Sequence, residues 1–297
     1  MIKQIKYIIY IISCSFSTLV TAQKDSLTFI DKKAKKCNHC KDGRHQNENP
    51  YTINLKNELP YFAAGLGLLG TGLIIRATNE KAPFIIGELD NLDANKINRF
   101  DRGAINNNSS SARTNSNIIL YSGMALPLLF LNNHHTKKDF VPLFVMSTEV
   151  FAITSGLTLN TKFLFNRTRP LAYNSGFSDE LRTDKTSRLS FFSGHTAQTA
   201  AFSIFMAKVI TDYHPNMRTG YKIGIWSFAL ALPTATGFYR VKGGKHFNTD
   251  VITGFAVGAT IGFLVPHLHK KKDKASNLTM APFNYNGATG LTLNWKL

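Results

Sequence analysis

Residues 240–250 read Arg240-Val241-Lys242-Gly243-Gly244-Lys245-His246-Phe247-Asn248-Thr249-Asp250, and an apolar run from Val251 to Pro266 follows directly. Four residues separate His246 from Asp250, the spacing of neighbours one turn apart on a helix. A carboxylate in that place accepts from one ring nitrogen and leaves the other as a lone-pair nucleophile. Arg240, just upstream, offers a planar fork of donors that matches an oxyanion. Taken alone, such a His–Asp pair also reads as an ordinary surface pair worth about 0.3 kcal/mol. Two further segments of the chain decide between these readings.

The first is Lys162 followed, seven residues on, by Arg169-Pro170. On a helix, residues seven apart share a face two turns apart, and the proline stops the helix with Arg169 at its mouth. By itself this is a solvated basic helix end favoured by the macrodipole. The second is Ser193-Gly194-His195-Thr196 ahead of the apolar run Ala197 to Ala207. A Ser and a Gly there turn backbone N–H groups and a hydroxyl toward an anion at the positive end of the helix. By itself the tetrapeptide is an ordinary Ser N-cap. Together the three segments supply three cations, a hydroxyl beside a glycine, and two histidines, which is what is needed to hold a phosphate and break its ester.

In their order and internal spacing the three segments resemble the type 2 phosphatidic acid phosphatase superfamily, which includes class A bacterial acid phosphatases and vanadium haloperoxidases. The resemblance runs from about residue 58 to residue 268. It implies that His246 attacks phosphorus to form a phosphohistidine, that Asp250 orients it, and that His195 protonates the leaving alkoxide and later activates water. It further implies that Lys162, Arg169, Arg240, Ser193 and the Gly194 amide bind the phosphoryl oxygens, with no metal and no cofactor required. Two positions depart from the pattern. Phe192 stands where the family usually has Pro, and Tyr239 where it usually has Ser. Neither removes a group assigned to catalysis, so they bear on substrate choice. The resemblance leaves open a vanadate-dependent haloperoxidase with His246 as vanadate ligand, and a non-catalytic envelope protein that binds phosphate or a lipid headgroup. The phosphatase reading, with a phosphate-containing substrate and a lipid favoured, uses the whole His195–His246–Asp250 relay; binding alone does not.

Six apolar stretches, Leu59–Ile75, Ile118–Leu131, Phe140–Leu159, Ala197–Ile210, Ile223–Tyr239 and Val251–Pro266, alternate with polar connections. They are rich in Gly, Ala and Leu and lack turn-bounded alternation, so the expected fold is all-α, a six-helix bundle over residues 58–268. The motifs fall at the end of the third helix, the start of the fourth and between the fifth and sixth, which puts the active site at one end. Residues 79–117 and 171–191 read as loops, the second a candidate for substrate selection. Residues 269–297 form a basic linker and a tail whose Thr/Leu/Asn alternation around Asn286-Gly287 suggests a short β-hairpin.

The start of the chain reads as an export signal over residues 1–22. Lys3 and Lys6 precede an apolar run, Tyr7 to Val20, and Val20-Thr21-Ala22 is a small-residue cleavage pattern. Ile11-Ile12-Ser13-Cys14 is a loose lipoprotein box that competes with it. Residues 23–57 form a polar tether in which Cys37, His39, Cys40 and His45 are too compressed for a usual zinc finger and favour a local disulfide. The net charge of +17 points to anionic membrane surfaces. Nucleic acid is disfavoured, because the lysines are dispersed and no recognition motif is present. A mean hydropathy of −0.10, apolar runs of mostly 14 to 17 residues, and Glu149 and Lys208 inside them argue for an exported, periplasmic bundle lying on the surface of a cell-envelope membrane. An integral bundle is the alternative, supported by Lys270-Lys271-Lys272 directly after the last helix.

Overall fold

The computed structural model describes residues 49–53, 55–131, 134–271, 278–285 and 288–295. The signal-like start, the tether with Cys37 and Cys40, and Asn286-Gly287 lie outside the described residues. The chain is mostly helical, and six of its helices are long: α1 (Leu55–Asn79), α2 (Ser110–Ala125), α3 (Phe140–Phe165), α4 (Gly194–Tyr213), α5 (Thr219–Lys242) and α6 (Asn248–His269). Two strands, β1 (Leu278–Tyr285) and β2 (Ala288–Trp295), pair antiparallel with Leu278 opposite Trp295 and Tyr285 opposite Ala288.

Both segments read as loops carry more structure than expected. Short helical turns occupy Ile86–Leu89, Ala94–Lys96, Arg99–Arg102 and Gly103–Asn106, then Pro170–Tyr173, Asp179–Arg182 and Lys185–Arg188. Local caps explain several of them. The Asp93, Asn98 and Asp184 side chains each accept a backbone N–H of the turn that follows. Ser109 does the same for α2 through Ala112 N. That helix therefore starts eight residues before the apolar run at Ile118 and carries polar residues toward one end of the bundle.

α4 is the centre. Every residue from Thr196 to Val209 is buried, and α4 is packed against α2, α3, α5 and α6. Its approach to α6 depends on a stripe of glycines. A Cβ at Gly254, Gly258 or Gly262 would fall 2.5, 2.0 or 2.2 Å from the carbonyl oxygens of Ser193, Ala197 and Ala201. No side chain fits there, so the backbones of the helices carrying His195 and Asp250 meet directly. The apolar core below the site joins Leu143, Met146 and Val150 of α3 to Ala201, Phe205 and Val209 of α4 and to Ile261 and Val265 of α6.

The outer faces are not those of a water-soluble bundle. Ile74, Tyr121, Phe144, Phe228, Phe263 and Leu268, on five different helices, are all exposed. Four helical segments, Leu59–Asn79, Ser110–Leu131, Phe140–Tyr173 and Asn248–His269, are long and apolar enough to cross a membrane. The charges that interrupt the apolar runs point inward. Glu149 is 1% exposed with its carboxylate 3.3 Å from His269 Nε2. Lys208 is paired with Asp212 and lies over the Phe263 ring. Inward, paired charges are what a spanning helix tolerates.

The chain enters and leaves the bundle at one end. Thr52 N donates to His269 O, Lys271 N donates to Pro50 O, and the Tyr51 hydroxyl donates to Asp212. The end of α3, the start of α4, the end of α5 and the start of α6 gather at the other end.

Candidate active site

α3 does not run on to Pro170 as the sequence suggests. It ends at Phe165, where Asn166 takes the left-handed conformation (φ 45°, ψ 40°) and donates its N–H to Lys162 O. Asparagine tolerates that conformation, which makes it a workable C-cap. Beyond it the backbone is extended. Arg169 N donates to Ser187 O and Ser190 N donates to Arg167 O, both at 2.8 Å. In an extended segment alternate residues share a side, so Arg167 and Arg169 both reach the bundle interior. Lys162 and Arg169 thus converge through a break in the helix rather than along its face. Lys162 Nζ donates to Leu189 O at 2.7 Å, and Arg169 donates to Thr186 Oγ1 at 3.1 Å and to the same Leu189 carbonyl at 3.4 Å.

Ser193 is the N-cap of α4. Its Oγ lies 2.9 Å from Thr196 Oγ1 and accepts Thr196 N at 3.4 Å, while its own N–H donates to Asp250 O. A Cβ at Gly194 would sit 2.9 Å from Thr158 Cγ2 and 3.9 Å from Lys162 Cε, so the glycine lets the helix start lie against α3 beside the lysine. His195 Nε2 is 2.8 Å from Asn117 Oδ1 on α2. Arg240, on the last turn of α5, is buried and reaches Ser116 Oγ at 3.5 Å.

The turn after α5 is closed by Gly243 N to Tyr239 O, Gly244 N to Val241 O and Lys245 N to Arg240 O. Gly244 has φ +67° and faces Asn107 O and the Phe177 ring, with no space for a Cβ. This turn places His246 just before α6 rather than on it, with Phe247 as N-cap. His246 is 1% exposed and its Nδ1 stands 3.6 Å from Asp250 Oδ2, too long for a hydrogen bond. That nitrogen is buried and has no hydrogen-bond partner. Asp250 is engaged elsewhere. Its Oδ2 accepts Ser190 Oγ at 2.5 Å and Phe247 N at 2.9 Å, and its Oδ1 accepts Arg167 Nη1 at 2.5 Å.

The eight residues singled out in the sequence, Lys162, Arg169, Ser193, Gly194, His195, Arg240, His246 and Asp250, are thus brought to one end of the bundle. Among the described residues no carboxylate forms an ion pair with Lys162, Arg169 or Arg240, and the buried Nε atoms of both arginines have no partner. Burial, then the charges of Lys162, Arg240 and Arg169, holds the His246 imidazole well below its ordinary pKa. Burial and the same cations push His195 down to about 3. Both rings are therefore neutral near pH 7, among buried cations.

Several supporting groups were not read from the sequence. Arg167 bridges Asp250 to Asp101, which is fully buried and also binds Thr249 and Asn98. Ser190 holds Asp250, Asn117 holds His195, and Ser116 holds Arg240. The one signal for Arg167 was its place two residues before Arg169, which gains meaning only once that segment is extended. Phe192 is buried, and Tyr239 is half-buried against Phe238.

Comparison with known proteins follows the same residues. The family model of the PAP2 superfamily matches residues 143–274. A lipid A 4'-phosphatase of Porphyromonas gingivalis is 27% identical over 149 residues, covering 48% of this chain. The chain spans 58% of the length of that relative. A crystal structure of a transmembrane PAP2-type phosphatidylglycerolphosphate phosphatase from Bacillus subtilis aligns over 69% of this chain and 96% of its own, at 20% identity and a TM-score of 0.45. Residues 143–274, the part of the chain similar to the PAP2 superfamily, hold every one of the eight site positions.

Proposed function

We propose that the protein is a membrane-embedded phosphatase that removes a phosphomonoester from a lipid through a phosphohistidine. The observation that carries this reading is the set of buried cations without carboxylate partners around a neutral, buried histidine. Fixed donors with unspent hydrogen bonds favour the trigonal-bipyramidal charge of phosphoryl transfer. With Nδ1 turned toward Asp250, His246 Nε2 attacks phosphorus as the P–O bond to the alkoxide breaks. The proton that the monoanionic ester brings passes through His195 to the departing oxygen; His195 then takes one from the water that attacks the phosphohistidine and returns it to the phosphate, which leaves both rings neutral as inorganic phosphate departs. The similarity to a lipid A 4'-phosphatase supports a phosphorylated lipid as substrate, as do the apolar outer faces beside the site.

Purified protein in detergent is expected to release phosphate from lipid phosphates, to be inhibited by vanadate and to keep its activity in EDTA. Complete loss in EDTA with recovery on adding zinc or magnesium would overturn the mechanism. The pH dependence follows from His195. A ring with a pKa near 3 carries no proton in the free site at pH 5 to 7, so the proton for the leaving group arrives with the monoanionic phosphate ester. The second pKa of a phosphomonoester is about 6. Above it kcat/KM is expected to fall about tenfold per pH unit. A profile flat from pH 5 to 8 would contradict this route.

The same reading places the helices in the bilayer rather than on it. The bundle is expected to stay in the membrane pellet through high-salt and carbonate washes and to come out with detergent. Release by salt, which screens contacts to anionic headgroups, would return it to the surface. Lys137, Lys138, Lys270 and Lys271 lie at the end opposite the site. By the positive-inside rule that end faces the cytoplasm and the catalytic end faces outward, a topology in which residues 1–22 do not carry the following chain across the membrane as an export signal does.

A further inference from the structure

α2 sends two neighbouring side chains to the catalytic end, about 100° apart around the helix. Ser116 is fully buried; its hydroxyl donates to Arg113 O at 2.8 Å and faces Arg240. Asn117 is exposed, and so are Ile118 and Tyr121 beside it. A carboxamide among apolar side chains on the outside of a membrane bundle is costly unless it has a partner. This one has a partner: its Oδ1 lies 2.8 Å from His195 Nε2. The helix that carries it is fixed on both sides of the contact. Ser109 N donates to Lys242 O at the end of α5, and a Cβ at Gly123 would sit 3.7 Å from Thr199 Cγ2 on α4.

The contact decides where the imidazole proton sits. A carboxamide oxygen only accepts, so the ring nitrogen facing it is the donor. A neutral imidazole has one N–H and one lone pair. With Nε2 donating to Asn117, the lone pair is on Nδ1, and Nδ1 makes no hydrogen bond among the described residues. The charged neighbours of the ring, Arg240, Arg169, Lys162 and Lys245, are all cations, and none of them accepts an N–H while charged. Asn117 is the acceptor the ring has.

We propose that Asn117 is a positioning residue that fixes His195 as the Nε2–H tautomer, so that every proton His195 handles enters and leaves through Nδ1. This rests on the phosphatase reading and names the atom on which its acid–base steps turn. In the first step the proton of the monoanionic ester moves to Nδ1, and from there to the alkoxide oxygen as its bond to phosphorus breaks. In the second, a proton of the attacking water moves to Nδ1 as the oxygen bonds to phosphorus and the bond from phosphorus to His246 breaks. That proton then returns to the phosphate. Each time the ring is briefly an imidazolium, and its Nε2–H bond to Asn117 becomes charge-assisted, about twice as strong as the neutral one. The gain belongs to the transition state rather than to bound substrate, so it is read in kcat.

The test uses full-length protein in detergent with dioctanoyl phosphatidate as substrate. Asn117→Ala is expected to lower kcat about 10- to 100-fold, the scale of one charge-assisted contact, and to leave KM nearly unchanged. Asn117→Asp, which accepts the same N–H, is expected to recover most of kcat, and Asn117→Leu, which has no acceptor, none of it. In a His195→Ala background Asn117→Ala is expected to add nothing, because its effect passes through the ring. Equal losses in the two backgrounds, or a loss confined to KM, would overturn the proposal. The tautomer is read without turnover from ¹⁵N-histidine signals, with those of His195 assigned by their absence from His195→Ala. The wild type should show a protonated Nε2 and a bare Nδ1, a preference that Asn117→Ala loses; a proton on Nδ1 in the wild type would overturn the assignment. Failure of the phosphatase reading looks different: the wild type then hydrolyses no ester, and the ¹⁵N signals alone support or overturn the tautomer.

Discussion

His246→Ala is expected to lower turnover by about 10⁴-fold or more, because it removes the nucleophile that takes the phosphoryl group on this route. The ring is 1% exposed among three cations that keep it unprotonated, so its lone pair is available at neutral pH. The expected intermediate is a phosphoramidate, labile in acid and stable in base, which acid quenching destroys and alkaline quenching preserves. Substrate labelled in the phosphoryl group should transfer label to the wild type and not to His246→Ala. His195→Ala should behave differently. Loss of the proton donor slows esters with poor leaving groups most, and loss of the base slows hydrolysis of the intermediate, so a labelled protein should accumulate with an activated ester such as p-nitrophenyl phosphate. Retention of more than about a tenth of wild-type activity by His246→Ala would rule out the histidine route.

The eight site positions were legible because chemistry restricts them. Few residue types hold a phosphate, and those that do appear here at fixed spacings beside helix starts and ends. The way they converge was not legible. Helical phase brings Lys162 and Arg169 together on paper, but the molecule uses a left-handed asparagine and an extended segment, and no periodicity marks a single Asn as a C-cap. The expected hydrogen bond from His246 to Asp250 is replaced by a 3.6 Å separation, since the carboxylate oxygens are taken by Ser190, Phe247 N and Arg167. Ser190 and Asp101 lie 60 and 149 residues from Asp250 in sequence, beyond any local pattern. Glu149 and Lys208 looked like breaks in apolar runs because burial within a bundle is invisible along a chain. The six apolar stretches needed only composition, and each lies within a long helix or, for Ile118–Leu131, within α2 and the 3₁₀ turns that extend it.

Arg167 is where the unread part of the site carries the most weight, and its replacement is expected to damage catalysis without touching the phosphate. Its guanidinium spans two carboxylates, Nη2 to Asp101 Oδ2 at 2.7 Å and Nη1 to Asp250 Oδ1 at 2.5 Å, and lies 4.4 Å from the centre of the Phe247 ring. Both carboxylates are fully buried, whereas Arg167 is 27% exposed. Removing the arginine leaves two buried charges short of a partner, a change that costs about 3 kcal/mol in comparable pairs. Asp101 still has Thr249 and Asn98, but Asp250 loses the bond that fixes its rotation about His246. Arg167→Ala is therefore expected to lower kcat by about 100-fold, the scale of a small misplacement of a catalytic group. KM and vanadate affinity should move far less, because Lys162, Arg169 and Arg240 remain. Arg167→Lys, able to reach one carboxylate at a time, should recover part of kcat. Thermal unfolding adds an independent sign. Burial raises the Asp101 carboxyl, but bonds from Thr249, Asn98 and Arg167 outweigh it and hold its pKa below 3.8. The stability this contributes is present above pH 3.8 and is lost as pH falls, so the gap between wild type and Arg167→Ala should be full at neutral pH and narrow in acid. Wild-type kcat in Arg167→Ala, or a loss confined to KM, would show that Asp250 needs no such brace.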